Sequence, residues 1–184
     1  QSVRDGGAIP ATIAIINGVV RIGLTSEELE ILGDPKSNVV KVSTRDLGAI
    51  LATGGHGATT VSATTHLSML AGIKFFATGG LGGVHRGAAE TWDVSADLMT
   101  LAMNQITIVC AGVKSILDIG ATLERLETIG VTVVGYGTDK FPGFYRADSG
   151  FGVPWRVDTP EEAAAVGKHR DGIEAPGAVV IAKP

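Results

Sequence analysis

Short apolar runs alternate with stretches of helical character along most of the chain. The strand-like runs are rich in β-branched residues and are continuously apolar rather than alternating. This pattern is typical of parallel strands that helices cover on both faces. We therefore expect an α/β protein, a three-layer α/β/α sandwich with a mainly parallel sheet. In such sheets a site lies beyond the carboxyl ends of the strands, where the loops gather.

The first two predicted strands, residues 11–16 and 19–23, form a hairpin because Asn17-Gly18 between them favours the positive φ angles of a tight turn. The other predicted strands cover residues 38–42, 73–77, 106–111, 131–135 and 178–182. Of these, 73–77 is expected to be buried. The predicted helices cover residues 26–33, 44–52, 58–71, 95–104, 115–126 with a possible break at Gly120, and 160–167. Residues 141–154, rich in Gly, Pro and aromatic residues, are predicted to be irregular.

The organisation of the chain predicts one domain over residues 1–184. It shows no internal repeat, no low-complexity tract and no linker that would mark a second domain. It lacks an initiating methionine and the basic-then-apolar pattern of a signal peptide. We expect a part of a longer polypeptide, incomplete at both ends, with cytoplasmic chemistry.

Composition excludes several classes of protein. The hydrophobic share of 45% is enough for a sizeable core, yet no apolar run reaches the roughly 18 to 20 residues of a membrane span. The net charge is −4 and the fifteen Lys and Arg are scattered, so no nucleic-acid partner is expected. The single Cys110 lies in an apolar run, which predicts a core residue and excludes an intrachain disulfide.

A glycine-rich loop follows the strand predicted at 73–77. Five glycines between Gly79 and Gly87 leave backbone amides unshielded, which suits a cradle for a phosphate or another oxyanion. His85 and Arg86 can both donate to an anion. The loop is neither a dinucleotide fingerprint nor a Walker loop, because His85 replaces the required glycine and no Gly-Lys-Ser/Thr follows. A tight strand-to-helix connection is the alternative interpretation.

Two carboxylates stand at the next helix start. Asp93 and Asp97 are four residues apart and would share one face of a continuous helix. One could bind a hard divalent cation while the other handles a proton. Alternatively, Asp93 or Ser95 caps the helix and Asp97 lies in a solvated first turn. Apolar burial of one carboxylate would separate these interpretations.

Lys114 directly follows the apolar run VCAGV, which places an amine after a buried strand. Desolvation favours a neutral lysine, and a neutral amine can add to a carbonyl-like carbon to form a covalent intermediate. The alternative is a surface lysine in the first turn of a helix. Lys41, at another strand end, is a second candidate cation; a solvent-facing strand-edge lysine is its alternative.

Several motifs together resemble one enzyme family. They are GATTVSAT, ATGGLGGVHRGA, WDVSADL, VCAGVKSILDIGATLERLETIGV and VVGY, with AIPATIAIINGVVRIGL and NVVKVSTRDL before them. In this order they are similar to pseudouridine-5′-phosphate glycosidases, also called the indigoidine-synthase-A-like family. The similarity extends to about Ser149.

The resemblance implies a reversible lyase that splits pseudouridine 5′-phosphate and water into uracil and ribose 5-phosphate. It implies an α/β/α fold, trimeric association and a divalent metal, usually Mn²⁺. Within it, Lys114 matches the nucleophile that adds at C1′ of the ring-opened sugar, and Asp93 matches the metal ligand. Lys41, Val61 and the trio Ser95, Ala96 and Asp97 match substrate-contacting positions, and His85 lies near the same pocket. The family's proton-donating glutamate would precede Gln1.

The chemistry of the bond agrees with a covalent amine. Uracil would leave a C–C glycosidic bond as a carbanion, so this bond breaks less readily through an oxocarbenium ion than a C–N bond does. Two other functions stay open on the residues alone. One is a non-catalytic phosphosugar-binding module of the same fold, and the other is a Schiff-base aldolase, which would not release uracil.

Overall fold

The computed structural model describes residues 2–184 and has the expected α/β class. The helices are α1 (Ser2–Asp5), α2 (Ser26–Gly33), α3 (Leu47–Thr53), α4 (Val61–Leu70), α5 (Ala88–Thr91), α6 (Ala96–Met103), α7 (Ile119–Thr128) and α8 (Pro160–Gly172), with short 3₁₀ helices at Pro35–Ser37 and Thr44–Asp46. The strands are β1 (Ile13–Ile16), β2 (Val19–Ile22), β3 (Val40–Val42), β4 (Gly57–Thr59), β5 (Phe75–Ala77), β6 (Thr107–Cys110), β7 (Thr132–Tyr136), β8 (Trp155–Val157) and β9 (Val179–Ala182).

The chain divides into two compact units, one extending to Leu67 and the other beginning at Ser68 within α4. The first unit contains a four-stranded sheet in the order β2-β1-β4-β3. Its β1–β2 hairpin turns at Asn17 and Gly18, whose φ angles of 49° and 69° confirm the predicted turn. Strands β3 and β4 are parallel, while β1 pairs antiparallel with β4. The prediction of one domain over the whole chain stays a prediction.

The second unit is built around an all-parallel sheet of five strands in the order β5-β6-β9-β7-β8. All four residues of the central strand β9 are buried. The sheet confirms the mainly parallel arrangement expected from the continuously apolar strands. Its carboxyl ends lead into the segments that carry the glycine-rich loop after β5 and Lys114 after β6.

The buried side chain of Arg170 connects helix α8 to this sheet by hydrogen bonds. Arg170 of α8 is only 7% exposed, and its Nη1 donates to the carbonyl oxygens of Ile106 at 2.9 Å and Gly177 at 3.2 Å. Its Nε and Nη2 each lie 2.8 Å from Oδ1 of Asp171, which compensates the buried charge. These contacts hold the two segments that precede β6 and β9.

Several elements differ from the sequence predictions. Residues 57–59 form the short strand β4, so α4 begins at Val61 rather than at residue 58. Strand β5 lies at a sheet edge with Phe75 exposed, so the prediction of a buried strand at 73–77 is wrong. Helix α7 begins at Ile119 behind its N-cap Asp118, later than predicted. Within residues 2–184, no helix is long and apolar enough to cross a membrane.

Candidate active site

The glycine-rich loop, residues 78–87, is held against the segment that follows β6 by backbone hydrogen bonds. The amide of Leu81 donates to the carbonyl of Gly112 at 2.9 Å, and the amide of Lys114 donates to the carbonyl of Leu81 at 3.1 Å. A further bond, from Ala111 to Gly79, extends this ladder. The backbone of Lys114 is therefore joined directly to the loop.

Two helices hold the other side of the loop. The amide of Gly82 donates to Oδ2 of Asp97 in α6 at 2.8 Å, and the amide of Val84 donates to Oγ1 of Thr122 in α7 at 2.9 Å. A side chain at Gly82 or Gly83 would collide with these same helices, because the space for a Cβ is already filled by Ser95 and Asp97 or by Thr122. Glycine is required at both positions by close approach of the backbone.

His85 and Asp93 meet at the outer end of the loop. The amide of His85 donates to the carbonyl of Asp93 at 3.0 Å, and His85 Nδ1 lies 3.6 Å from Asp93 Oδ2. Both side chains are partly exposed. Asp93 precedes α6 rather than lying on it, so the condition for sharing a helix face with Asp97 is not met. The structure brings Asp93 to the glycine-rich loop instead.

The start of α6 assigns different roles to the other predicted residues. Ser95 is the N-cap, and its hydroxyl accepts a hydrogen bond from the amide of Asp97 at 3.2 Å. Ala96 is the first helical residue. Asp97 is only 5% exposed, so the alternative of a solvated first turn is wrong for it. Its carboxylate is buried against the loop that it binds through Gly82.

The side chain of Lys114 is exposed and has no hydrogen-bond or ion-pair partner within residues 2–184. We expected the amine of Lys114 to be shielded from water because it follows a buried strand. Its exposure within residues 2–184 does not support that expectation. Lys114 lies at the surface, as the alternative interpretation expected, but outside any helix. Its role as a nucleophile stays a prediction.

Lys41 and Val61 belong to the first unit, whereas the other predicted site residues belong to the second. Lys41 lies in β3 and is exposed, and Val61 is the buried first residue of α4. Within the first unit, β3 and β4 are parallel, so Lys41 and the residue before α4 approach the same sheet end. Their contact with a substrate stays a prediction.

Cys110 ends β6, four residues before Lys114, and is buried as the sequence predicted. Burial raises the pKa of its thiol to about 11. The thiolate is the nucleophilic form of cysteine, so Cys110 is a core residue rather than a competing nucleophile.

A divalent cation bound at Asp93 would need further oxygen or nitrogen ligands. No group of three or more His, Cys, Asp or Glu side chains gathers within residues 2–184. A carboxylate that is exposed beside an imidazole nonetheless suits an open site, in which one or two protein ligands are completed by water and substrate oxygens. The role of Asp93 as a metal ligand stays a prediction.

Comparison with known proteins identifies the family. The sequence profile described as "Indigoidine synthase A like protein" matches residues 1–184. The chain belongs to the indigoidine synthase A-like family. This finding confirms the resemblance found in the glycine-rich loop and the motifs around Asp93 and Lys114.

Curated members of the family are closely similar to the chain. It is 58% identical to a pseudouridine-5′-phosphate glycosidase of Symbiobacterium thermophilum, covering 100% of this chain and 61% of that protein. It is 57% identical to a pseudouridine-5′-phosphate glycosidase of Alkaliphilus metalliredigens, covering 99% of this chain and 59% of that protein. The chain thus spans about three fifths of the length of these relatives.

Two solved structures share the fold. The prealnumycin C-glycosynthase AlnA, in complex with ribulose 5-phosphate, superposes with a TM-score of 0.93 at 42% identity, over 100% of this chain and 60% of that chain. An indigoidine synthase A-like protein of Thermotoga maritima gives a TM-score of 0.92 at 38% identity, over 99% and 60%. The α/β fold of the chain is therefore the fold of this family.

Sequence reasoning missed Thr122, which binds the loop at Val84. Thr122 is fully buried, and its hydroxyl also donates to the carbonyl of Asp118 at 2.6 Å. A threonine four residues after an N-cap is often bonded in this way, so the helix contact had a local signal. Val84 lies 38 residues earlier in the chain, and nothing in the spacing indicated that contact.

Proposed function

We propose that the protein is a pseudouridine-5′-phosphate glycosidase that cleaves the C–C bond between uracil and ribose 5-phosphate. The observation that carries this proposal is the backbone ladder that joins Lys114 to the glycine-rich loop through Leu81. It fixes the backbone from which the Lys114 side chain extends, beside a loop that is itself held by Asp97 and Thr122. Closely similar relatives that bear the name of this enzyme support the same conclusion.

In the proposed reaction, the Lys114 amine forms an N–C1′ bond as the C1′–O4′ bond breaks, which opens the sugar ring; O4′ takes up a proton and the nitrogen releases one. The nitrogen lone pair then forms a C=N bond while the C1′–C5 bond breaks, and its electron pair leaves with uracil. A proton added at C5 completes uracil. Water hydrolyses the imine, which releases ribose 5-phosphate and restores the amine.

The other residues of the second unit have supporting roles in this proposal. Asp93 would hold a divalent ion, with Mn²⁺ as the metal implied by the resemblance, and a bound ion would neutralise phosphate or hydroxyl oxygens of the substrate. His85 borders the substrate beside Asp93. The start of α6 also faces the substrate in this proposal, through Ser95, Ala96 and Asp97. Substrate contact by Lys41 and Val61, and association as trimers, stay predictions from the resemblance.

Reductive trapping tests the covalent step. Ribose 5-phosphate and borohydride should convert the imine into a stable secondary amine, which peptide mass spectrometry should find on Lys114. The variant Lys114→Arg should give no adduct and no uracil from pseudouridine 5′-phosphate, while Lys168→Arg, an exposed lysine of α8, should behave as the wild type.

Two results would contradict the proposal. Trapping at another lysine with Lys114→Arg still active would remove Lys114 as the nucleophile. Binding of ribose 5-phosphate without any adduct or released uracil would instead indicate the non-catalytic phosphosugar-binding module.

A further inference from the structure

We propose that Arg86 and Arg146 form a binding site for the phosphate group of a small phosphorylated molecule. Both side chains line one cavity of about 330 Å³ in the second unit, together with Ser115, the neighbour of Lys114. Arg86 belongs to the glycine-rich loop, and Arg146 belongs to the irregular segment between β7 and β8. Two segments sixty residues apart in the chain thus bring guanidinium groups to one cavity.

The positive charge of this cavity is only partly balanced by the protein. Neither Arg86 nor Arg146 forms an ion pair within residues 2–184. Asp118 is the sole carboxylate in the described lining, and its Oδ1 accepts the amide of Ala121 at 3.0 Å as the N-cap of α7. Two like charges that share a concave surface attract an anion, and the planar guanidinium fork matches the geometry of phosphate oxygens.

Hydrogen bonds are formed by the side chain of Arg86 and by the backbone of the segment that carries Arg146. Nη2 of Arg86 donates to the carbonyl of Ser115 at 3.4 Å. The carbonyl of Arg146 accepts the amide of Gly143 at 2.8 Å, and the amide of Phe144 donates to Ala111 at 2.9 Å. The backbone of the segment that carries Arg146 is therefore attached next to the end of β6, which keeps this arginine beside the same cavity as Arg86.

The remaining wall of the cavity determines the class of ligand. Leu117, Ile119 and Phe151 add apolar surface beside the two cations. A cavity of this size that is lined by both cationic and apolar side chains suits a phosphate that carries a small carbon skeleton. The phosphate could be that of the molecule bound at Lys114, or that of a second phosphorylated molecule.

Binding measurements test the site independently of any reaction at Lys114. Isothermal titration calorimetry in phosphate-free buffer would compare inorganic phosphate and ribose 5-phosphate on wild type, Arg86→Gln and Arg146→Gln. Each variant should weaken binding of both probes by at least about tenfold. Arg125→Gln, on the exposed side of α7, is the matched control and should bind as the wild type does.

A further experiment shows which molecule supplies the phosphate. It uses protein in which borohydride has reduced the imine between Lys114 and ribose 5-phosphate. Loss of inorganic phosphate binding in that adduct means that the sugar's own phosphate occupies the cavity, and retained binding means a second molecule. Wild-type affinity in both arginine variants would overturn the proposal. Since both side chains are at the surface, unchanged thermal unfolding in the absence of phosphate verifies that the variants fold. A failure to trap Lys114 would count against the glycosidase proposal alone.

Discussion

The amide of Gly82 lies 2.8 Å from Oδ2 of Asp97, and a Cβ built on Gly82 would lie 2.6 Å from that same oxygen. The hydrogen bond and the absence of a side chain therefore depend on each other. The buried carboxylate satisfies one amide of the loop, and the loop in turn covers the carboxylate. This pair fixes the loop to the start of α6, and it is the contact we expect to respond most sharply to a single methyl group.

Gly82→Ala should lower the free energy of unfolding by about 1 to 3 kcal/mol, because the added methyl group enters occupied space. Gly172→Ala is the matched control, since a Cβ at the end of α8 meets no atom within 4 Å. It should be neutral or stabilise the protein by about 0.4 to 1 kcal/mol. Urea unfolding followed by circular dichroism measures both changes. Equal stability of the two variants would show that the loop relaxes freely.

Thr122→Val should leave the amide of Val84 without its hydrogen-bond acceptor. Valine keeps the shape of threonine but removes the oxygen that accepts this amide at 2.9 Å, while Thr122→Ser keeps it. The unsatisfied amide costs about 1 to 3 kcal/mol. Hydrogen exchange measured by NMR should show faster exchange at Val84 in Thr122→Val and retained protection in Thr122→Ser. Equal exchange in both variants would argue against this role of the hydroxyl.

Arg170→Met should destabilise the second unit by about 1.5 to 3 kcal/mol, because the carbonyls of Ile106 and Gly177 lose a charged donor. Arg125→Met removes an exposed arginine of α7 and should change stability by less than about 0.5 kcal/mol. The midpoint of urea unfolding measures the difference. If the two variants unfold at the same urea concentration, the hydrogen bonds of Arg170 add nothing to stability beyond the packing of its side chain.

The thiol of Cys110, the single cysteine, reports on unfolding and on the dependence of stability on pH. Burial raises the pKa of its thiol to about 11, so the folded chain binds this proton more tightly than the unfolded chain, whose thiol titrates near about 8.5. Its contribution to stability is fully present below the unfolded pKa and is lost as pH rises toward 11. Iodoacetamide at pH 8 should label the folded protein slowly and the urea-unfolded protein quickly. Rapid labelling of the folded protein would contradict the buried position.

Asp93→Asn should weaken Mn²⁺ binding by at least about tenfold, because a neutral amide replaces the proposed anionic ligand. Glu90→Gln removes the same charge three residues earlier and should leave the affinity nearly unchanged. The electron paramagnetic resonance signal of free Mn²⁺ gives the bound fraction without an activity measurement. Equal affinities in the two variants would mean that the metal binds elsewhere.

Local signals accounted for the parts of the fold that the sequence predicted well. Asn17-Gly18 supplied the left-handed turn of the first hairpin, and Thr25 with Glu28 formed the capping box that begins α2. Strand β4 was missed because three residues carry too little pattern to separate them from the following helix. Strand β5 was expected to be buried because its apolar residues do not reveal that it is an edge.

The candidate site was predictable to a similar degree. The sequence indicated the glycine-rich loop, Asp93, Asp97 and Lys114, since each stands beside an element boundary. It could not indicate that Asp97 is buried or that Thr122 holds the loop, because both facts depend on contacts between distant segments. The exposure of the Lys114 side chain was likewise beyond local patterns.

The central place of β9 has a consequence for the newly made chain. β6 and β7 are synthesised first, yet β9 lies between them in the sheet. Until residues 179–182 leave the ribosome, each of these strands presents a bare edge to which a strand of another polypeptide could add. The growing protein is therefore open to aggregation at these edges until residues 179–182 have been made, when one short stretch closes both edges together.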